Sequence, residues 1–197
     1  VDTNNEILNW LYTECTALNP DFYMVSEVWE NYGTFSQYYG SLTPSMFNFD
    51  GADTEGKIIK TARGNYNAEK FVNTMLTYQT DFGEKFDGYI DAPFIGNHDT
   101  GRIANSLNMN ENDMKMAAGL LMTMSGNPFI YYGEEIGMSS SGKKDENKRL
   151  PMIWSNADMT GMTKGPKDAD AGIKSSFAPV DEQLKDETSI LNYYKRG

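Results

Sequence analysis

The chain has 197 residues, of which 39% are hydrophobic and 23% are charged, proportions typical of a globular protein and not of a disordered or membrane-embedded one. Its formal net charge of −11 argues against nucleic acid or anionic membrane surfaces as partners, because both require clustered lysine and arginine. The single cysteine, Cys15, excludes an internal disulfide and a cysteine-rich metal site.

Along the chain, apolar periodicity predicts helices that alternate with short apolar strands. The first helix begins at the capping-box sequence Thr3–Glu6 and buries Cys15 on its apolar side. Two later helices are capped by Asn67 and Asn110, and a final helix begins at Thr188. The predicted strands span residues 22–25, 46–49, 90–95 and 128–132. Such an alternation is typical of an α/β fold with a parallel sheet covered by helices.

Polar residues follow each predicted strand. They are Glu27, Asp50, Asn97–Asp99 and Glu134–Glu135. Taken alone, the sequence Asn97-His98-Asp99 is better explained as a turn, since asparagine and aspartate are common turn formers. Ligands of parallel α/β folds, however, bind at the carboxyl ends of the strands. Acidic residues at several strand ends therefore favour a site lined with carboxylates.

A rim of carboxylates with one histidine and nearby aromatic rings suits the cleavage of sugars. A glycosidase needs a protonated carboxylic acid for the leaving oxygen and a second carboxylate against the transition state, and aromatic faces bind sugar rings. The acids show no metal-ligand spacing, so no metal site is predicted. A phosphorylated metabolite would require an anion cradle, and Gly133-Glu134-Glu135 has the wrong charge. No nucleophile elbow for serine catalysis is present.

Six segments occur in this order along the chain: MVSEVWE, MFNFD, FIGNHD, PFIYYGEEIGM, RLPMIW and DEQLKDETSILNYYKR. Together they resemble the α-amylase family of glycoside hydrolases. The resemblance covers nearly the whole chain and implies the C-terminal half of a (β/α)8 TIM barrel, strands five to eight, as a partial catalytic domain over residues 1–197. It also implies a retaining glycoside hydrolase that acts on α-1,4-linked glucans such as starch and maltooligosaccharides.

The resemblance implies a role for each matching residue. Glu27 matches the general acid/base and Asp99 the transition-state stabiliser, while His98 and Asn97 are expected to lie beside them against the sugar. The alternatives are a strand-end glutamate that faces a helix N-terminus, for Glu27, and a plain turn for the other three residues. Glu27 and Asp99 are accordingly expected at the same end of the sheet, in one cleft.

Further substrate contacts are predicted for Arg149, Arg102 and Trp29. Arg149 resembles an arginine that reaches the non-reducing side of the cleavage point in some family members, with a structural ion pair as the alternative. Arg102 is predicted to orient a carboxylate, unless it lies on the surface. Trp29 is a candidate sugar platform, as is Tyr132, although aromatic residues next to strands more often lie in the core.

The resemblance also implies missing parts, because a complete barrel of this type needs about 250 residues. The nucleophilic aspartate of strand four and the usual calcium-binding loops are expected before Val1, and a β-sandwich beyond Gly197. No cofactor is therefore predicted for this chain itself, and calcium only for the missing half. The expected partners are an α-glucan substrate and either the missing half-barrel or a second copy, since half a barrel leaves exposed edges and an apolar face.

Other functions remain open at the level of the sequence. Within the family they are an α-glucosidase, an oligo-1,6-glucosidase and a transglycosylase. Outside enzymes, the alternative is a carbohydrate-binding scaffold derived from the family, although such proteins characteristically lose the residues that match Glu27, His98 and Asp99. The resemblance favours an extracellular or cell-surface location in a bacterium, with the cytoplasm as the alternative.

Overall fold

The structure is a computed structural model that describes residues 2–140, 144–170 and 177–197. Its centre is a parallel three-stranded sheet in the spatial order β1-β2-β3. The strands are β1 (Val25–Ser26), β2 (Ser45–Asn48) and β3 (Ile90–Pro93). In the register of this sheet, Ser26 pairs with Met46 and Met46 with Asp91, so all three strands end at the same edge.

The prediction of a fourth strand over residues 128–132 is wrong, because the segment does not form a regular strand. A single parallel bridge joins Phe94 to Phe129 there. The segment still runs beside β3, because the amides of Asn127 and Phe129 donate to the carbonyls of Asp91 and Pro93, both at 2.8 Å. Pro93 faces this segment and has no N–H to donate, which interrupts the ladder between the two segments.

Helices cover the sheet and connect its strands. They are α1 (Asp2–Leu18), α2 (Tyr32–Phe35), α3 (Lys57–Ala62), α4 (Ala68–Lys85), α5 (Ile103–Ser106), α6 (Glu111–Met122), α7 (Asp145–Lys148), α8 (Val180–Gln183) and α9 (Ile190–Tyr194), with 3-10 turns at Ser36–Gly40 and Glu134–Ile136. The predicted caps Asn67 and Asn110 are confirmed, since their side chains accept from backbone amides in the first turns of α4 and α6. The prediction of a capping box at Thr3 is wrong, because Thr3 already lies inside α1. The final helix is capped by Ser189.

Most of the core lies between the sheet and its helices. One cluster joins α3, α4, α6 and α9 around Ile58, Phe71, Leu121 and Ile190. A second, aromatic cluster packs α4 against the chain between β1 and β2. Helix α1 is different: its large apolar residues Ile7, Trp10, Leu11 and Leu18 are exposed. Cys15, on the same helix, is only partly buried, so its predicted burial is incomplete.

Candidate active site

Glu27 and Asp99 leave the sheet at the same edge, as predicted. Strand β1 ends at Ser26, so Glu27 is the first residue beyond it. Strand β3 ends at Pro93, and the segment that follows carries His98 and Asp99. Because the strands are parallel and in register, both carboxylates belong to the carboxyl edge, where ligands of α/β folds bind.

The segment that carries Asp99 is a turn built around the side chain of Asn97. Its Oδ1 accepts from the amides of Asp99 at 2.9 Å and Thr100 at 2.8 Å. The hydroxyl of Thr100 accepts in return from the amide of Asn97 at 2.8 Å. Turn and site are therefore not alternatives here, since the Asx-type turn holds the backbone of Asp99 in place. The side-chain oxygen Oδ1 of Asn97 already accepts these two hydrogen bonds. A contact between Asn97 and a sugar therefore stays a prediction, and it would use the Nδ2 atom.

The Asp99 carboxylate lies between a cation and the imidazole. Nη2 of Arg149 donates to Oδ1 at 2.8 Å, and Nε2 of His98 lies 3.3 Å from Oδ2. The ammonium of Lys148 donates to the backbone carbonyl of Asp99 at 2.6 Å. All of these side chains remain partly exposed, so hydroxyl groups of a sugar can reach them. This cluster brings three predicted site residues, Asp99, His98 and Arg149, into direct contact.

Arg102 lies beneath this cluster and not in it. Arg102 is only 2% exposed, so the alternative that it lies on the surface is wrong. A sugar cannot contact its side chain directly, because almost none of it is accessible. Nη1 donates to the carbonyl of Tyr132, and the guanidinium carbon lies 4.4 Å and 4.7 Å from the ring centres of Tyr131 and Tyr132. Burial lowers the pKa of Arg102, and the two tyrosines offset part of that effect.

The two tyrosines connect Arg102 back to Asp99. Their hydroxyls donate to backbone carbonyls of the segment that carries Arg149: Tyr131 to Lys148 at 3.1 Å and Tyr132 to Leu150 at 2.7 Å. Arg102 therefore supports the rings that hold the segment whose cations bind Asp99. The part played by Lys148 was not predicted from the sequence. Lys148 is the last residue of α7, and its side chain is largely buried.

Trp29 lies at the same edge of the sheet, beyond Glu27. Its ring stacks on Phe49 with centroids 5.2 Å apart and planes 14° apart, while the residue remains 56% exposed. A core position for Trp29 is therefore wrong. The ring forms one wall of a cavity of about 420 Å³ that Asp50 and Thr100 also line. An exposed ring with polar neighbours is the arrangement that sugar platforms require.

Glu27 itself is exposed and lines a separate cavity of about 370 Å³ beside α1, with Asn4 and Tyr38 among its neighbours. Hydrogen bonds within the described residues do not connect Glu27 with Asp99. The structure thus shows the same edge for the two carboxylates, whereas their place in one cleft stays a prediction.

Two other acidic strand ends do not contribute free carboxylates to the rim. Asp50 is ion-paired with Lys57, and burial raises the pKa of Asp50. Glu134 is 5% exposed and accepts from the hydroxyl of Tyr194 in α9 at 2.7 Å. Burial, with a smaller effect of the nearby Glu135 carboxylate, raises the pKa of Glu134 to about 8. The prediction that every acidic strand end lines the site is therefore wrong for Glu134.

Residues 2–140, 144–170 and 177–197 hold neither a candidate metal site nor a helix that could span a membrane. Within these ranges, no group of three or more histidine, cysteine or acidic side chains is placed to hold a metal ion. None of the helices described there is long and apolar enough to cross a membrane.

A family model described as the alpha amylase catalytic domain matches residues 3–197. The chain belongs to the alpha-amylase family. Alpha-amylase SusG of Bacteroides thetaiotaomicron is 34% identical over 98% of this chain and 28% of its own length. Alpha-amylase 3 of Dictyoglomus thermophilum is 32% identical over 99% of this chain and 38% of its own length. The chain therefore spans about a third of the length of these bacterial relatives.

The fold agrees with this assignment. The solved structure of Eubacterium rectale Amy13B superposes on 99% of this alpha-amylase-family chain with a TM-score of 0.92 and 38% sequence identity, and the match covers 38% of that protein. The parallel strands and covering helices are part of the (β/α)8 barrel of the family. The fold class predicted from the sequence is confirmed.

Proposed function

We propose that the complete protein containing this chain is a retaining glycoside hydrolase that cleaves α-1,4-linked glucans such as starch and maltooligosaccharides. The observation that carries the proposal is the shared carboxyl edge of Glu27 and Asp99 within a chain that matches the alpha-amylase catalytic domain over residues 3–197. Two relatives that match nearly the whole chain are named alpha-amylases, which supports the same substrate class.

In the proposed mechanism, Glu27 protonates the glycosidic oxygen as the bond to the sugar breaks. The same residue, now a carboxylate, then removes a proton from the water that hydrolyses the glycosyl intermediate. Asp99 stabilises the positive charge that develops on the sugar ring in the transition state. His98 donates a hydrogen bond to a sugar hydroxyl beside Asp99, and Trp29 provides a flat apolar surface for a neighbouring ring.

The nucleophile of this mechanism is proposed to come from outside residues 1–197. Asp50 is the internal alternative, and its carboxylate is ion-paired with Lys57. We propose the remaining half of the barrel as the physical partner of this chain, in preference to a second copy, because the exposed apolar residues of α1 require a cover. Any structural calcium is proposed to lie in that other half.

We place the complete protein outside the cell or on its surface, because a polymeric glucan is too large to enter before it is cleaved. Fractionation of cells that express the complete gene tests this location, and protein confined to the cytoplasm would contradict it.

The reaction is tested by incubating the complete protein with soluble starch and following the products by NMR. Retention predicts that the newly formed reducing ends appear first in the α configuration, before mutarotation. Internal cleavage gives a mixture of maltooligosaccharides, whereas glucose alone would indicate an α-glucosidase. Absence of any cleavage of α-1,4, α-1,6 or activated substrates would contradict the proposal.

A further inference from the structure

A cavity of about 300 Å³ lies in the helical layer that covers the sheet, next to β3. Helices α4 and α6 form most of its wall, together with residues 123–125 beyond the end of α6. We name it the Asp91 cavity, after the one ionisable residue among the described residues that line it. From the composition of this wall we propose that the Asp91 cavity binds a small amphiphilic cation, an ammonium group attached to an apolar chain.

The side chain of Asp91 points toward the helices. Successive side chains of a strand lie on opposite faces of the sheet, so Asp91 and Phe94 belong to different faces. The ring of Phe94 packs against Phe47 on one face, with ring centroids 5.5 Å apart. Asp91 lies on the other face, beneath the helices, and is 5% exposed. The Asp91 cavity is therefore separate from the site formed by the residues that follow the strands.

The Asp91 carboxylate has an unused acceptor. Oδ2 accepts from Nδ2 of Asn48 at 3.0 Å, whereas Oδ1 is buried and has no hydrogen-bond partner among the described residues. The hydroxyls of Thr61 and Thr123, which also line the cavity, donate to backbone carbonyls four positions earlier in the chain. A buried acceptor without a donor is costly, so a ligand that brings a donor to Oδ1 is favoured.

The charge of the cavity favours a cation as that donor. Burial raises the pKa of the Asp91 carboxyl to about 6, an effect that Asn48 and the backbone amide of Ala92 partly offset, so the group is ionised at about pH 8. The described residues of the wall include no lysine or arginine to pair with it. A buried carboxylate without a counter-charge favours a positive ligand, and the formal net charge of −11 attracts cations to the protein.

The rest of the wall suits an apolar chain. It is made largely of aliphatic, aromatic and methionine side chains, among them Phe71, Met75, Leu120 and Met124. A mostly apolar cavity with one polar group is the usual form of a small-molecule site. A sugar would leave most of its hydroxyls without partners against such a wall, so an alkyl chain is favoured over a sugar.

The cavity opens to solvent beside exposed apolar residues of α4. Val72 and Leu76, one helical turn apart, line it and are exposed by 53% and 54%. Strand β3 has neighbours on both sides, β2 and the segment bridged at Phe129, so the cavity does not lie over an open edge of the sheet. The opening is therefore expected to stay accessible when the other half of the barrel is present.

The test titrates the complete protein with n-hexylammonium chloride at about pH 8, where an alkylamine is protonated, and measures the heat of binding. We expect a Kd of about 1 mM or tighter for the wild type. 1-Hexanol should bind at least about tenfold more weakly because it has no charge to pair with Asp91, and hexanoate should not bind. Absence of hexylammonium binding at about 10 mM, or equal affinity for 1-hexanol, would overturn the proposal.

Variants then locate the bound cation. Asp91→Asn keeps the size of the side chain but removes its charge, so the Kd for hexylammonium should rise at least about tenfold. Asp99→Asn is the matched control, because it removes a carboxylate at the carboxyl edge and should change the Kd less than about twofold. A Kd that depends on Asp99 and not on Asp91 would place the cation at the carboxyl edge and overturn the proposal.

A second pair of variants tests the wall even if Asp91→Asn does not fold. Leu76→Ala should raise the Kd for hexylammonium roughly threefold, because it removes apolar contact from the mouth of the cavity. Leu184→Ala, at a leucine that is 49% exposed and outside the wall, should leave the Kd unchanged. Equal effects of the two variants would contradict the site. Since the titration needs no cleavage of glucans, its failure and failure of the proposed function are separate results.

Discussion

Arg149 donates from Nη2 to Oδ1 of Asp99 at 2.8 Å, which joins two segments 50 positions apart in sequence. The pair is only partly buried, with 36% of the Arg149 side chain and 33% of the Asp99 side chain exposed. Water therefore screens the attraction, and pairs of this type contribute about 0.2–1 kcal/mol to stability. Because the stabilising effect is small, the geometry of the pair points to a role in orienting the Asp99 carboxylate.

The first prediction follows from this pair. Arg149→Ala should lower the free energy of unfolding by no more than about 1 kcal/mol, while kcat/KM of the complete protein on starch falls by more than about tenfold. Denaturant unfolding and steady-state kinetics measure the two effects. Arg63→Ala, at the end of α3 and away from Asp99, serves as the control and should leave kcat/KM unchanged. A large loss of stability without a loss of activity would show that the pair is structural.

The second prediction concerns Arg102 as a positioning residue. Lysine keeps the charge but cannot lie flat against the rings of both Tyr131 and Tyr132, so Arg102→Lys should loosen the segment that carries Lys148 and Arg149. We expect kcat/KM to fall about tenfold even when the variant is folded, as judged by circular dichroism.

The matched control for Arg102→Lys is Arg196→Lys, at an exposed position near the chain end. If the two variants have equal activity on starch, Arg102 has no positioning role. The double variant of Arg102→Lys with Arg149→Ala gives a second check. Its loss should be smaller than the product of the single losses, because Arg102 acts on Asp99 through the segment that carries Arg149.

The third prediction concerns the buried carboxyl of Glu134. Its pKa is raised to about 8 in the folded protein, chiefly by burial, whereas an unfolded chain has a glutamate pKa of about 4.3. Between these values the folded state binds the proton and the unfolded state does not. The contribution to stability is therefore complete below about pH 4 and declines as the pH rises toward 8.

Glutamine mimics the protonated form of Glu134, so Glu134→Gln should lose less unfolding free energy between pH 5 and pH 8 than the wild type. Urea unfolding at a series of pH values measures the slope. Glu84→Gln, on the exposed side of α4, should keep the wild-type slope. Parallel slopes for wild type and Glu134→Gln would contradict the raised pKa.

The fourth prediction is that residues 1–197 alone do not hydrolyse soluble starch at a measurable rate. The exposed apolar residues of α1, among them Trp10 and Leu18, should instead make the isolated chain associate. Sedimentation velocity at several concentrations measures this association. Adding the separately expressed first half of the barrel should restore activity and suppress self-association. Robust cleavage by the chain alone would contradict the proposed origin of the nucleophile.

Several elements were predictable from the sequence because their signals are local. The caps at Asn67 and Asn110 depend on one side chain and the amides that follow it, and both are present. The shared edge of Glu27 and Asp99 followed from the alternation of strands and helices, which fixes parallel pairing. The prediction of a capping box at Thr3 was wrong because the same four residues can also lie inside a helix.

Other features depend on contacts between distant residues, which periodicity does not contain. The burial of Glu134 depends on Tyr194, 60 positions later, and the support that Arg102 gives depends on two rings about 30 positions away. The loss of the fourth strand follows from Pro93, which has no N–H for the ladder, a signal that was present in the sequence. The contact of Lys148 with Asp99 was not predicted because its acceptor, a backbone carbonyl, produces no pattern in the sequence.

The central claim, that Glu27 is the general acid of a glycoside hydrolase, is tested most directly by Glu27→Gln in the complete protein. Glutamine keeps the shape but removes the proton donor, so kcat on starch should fall by about 10²–10⁴-fold. The loss should be much smaller for an aryl maltooligosaccharide whose leaving group needs no protonation. Glu84→Gln should resemble the wild type on both substrates. Equal losses on starch and on the aryl substrate, or no loss on starch, would contradict the assignment of Glu27.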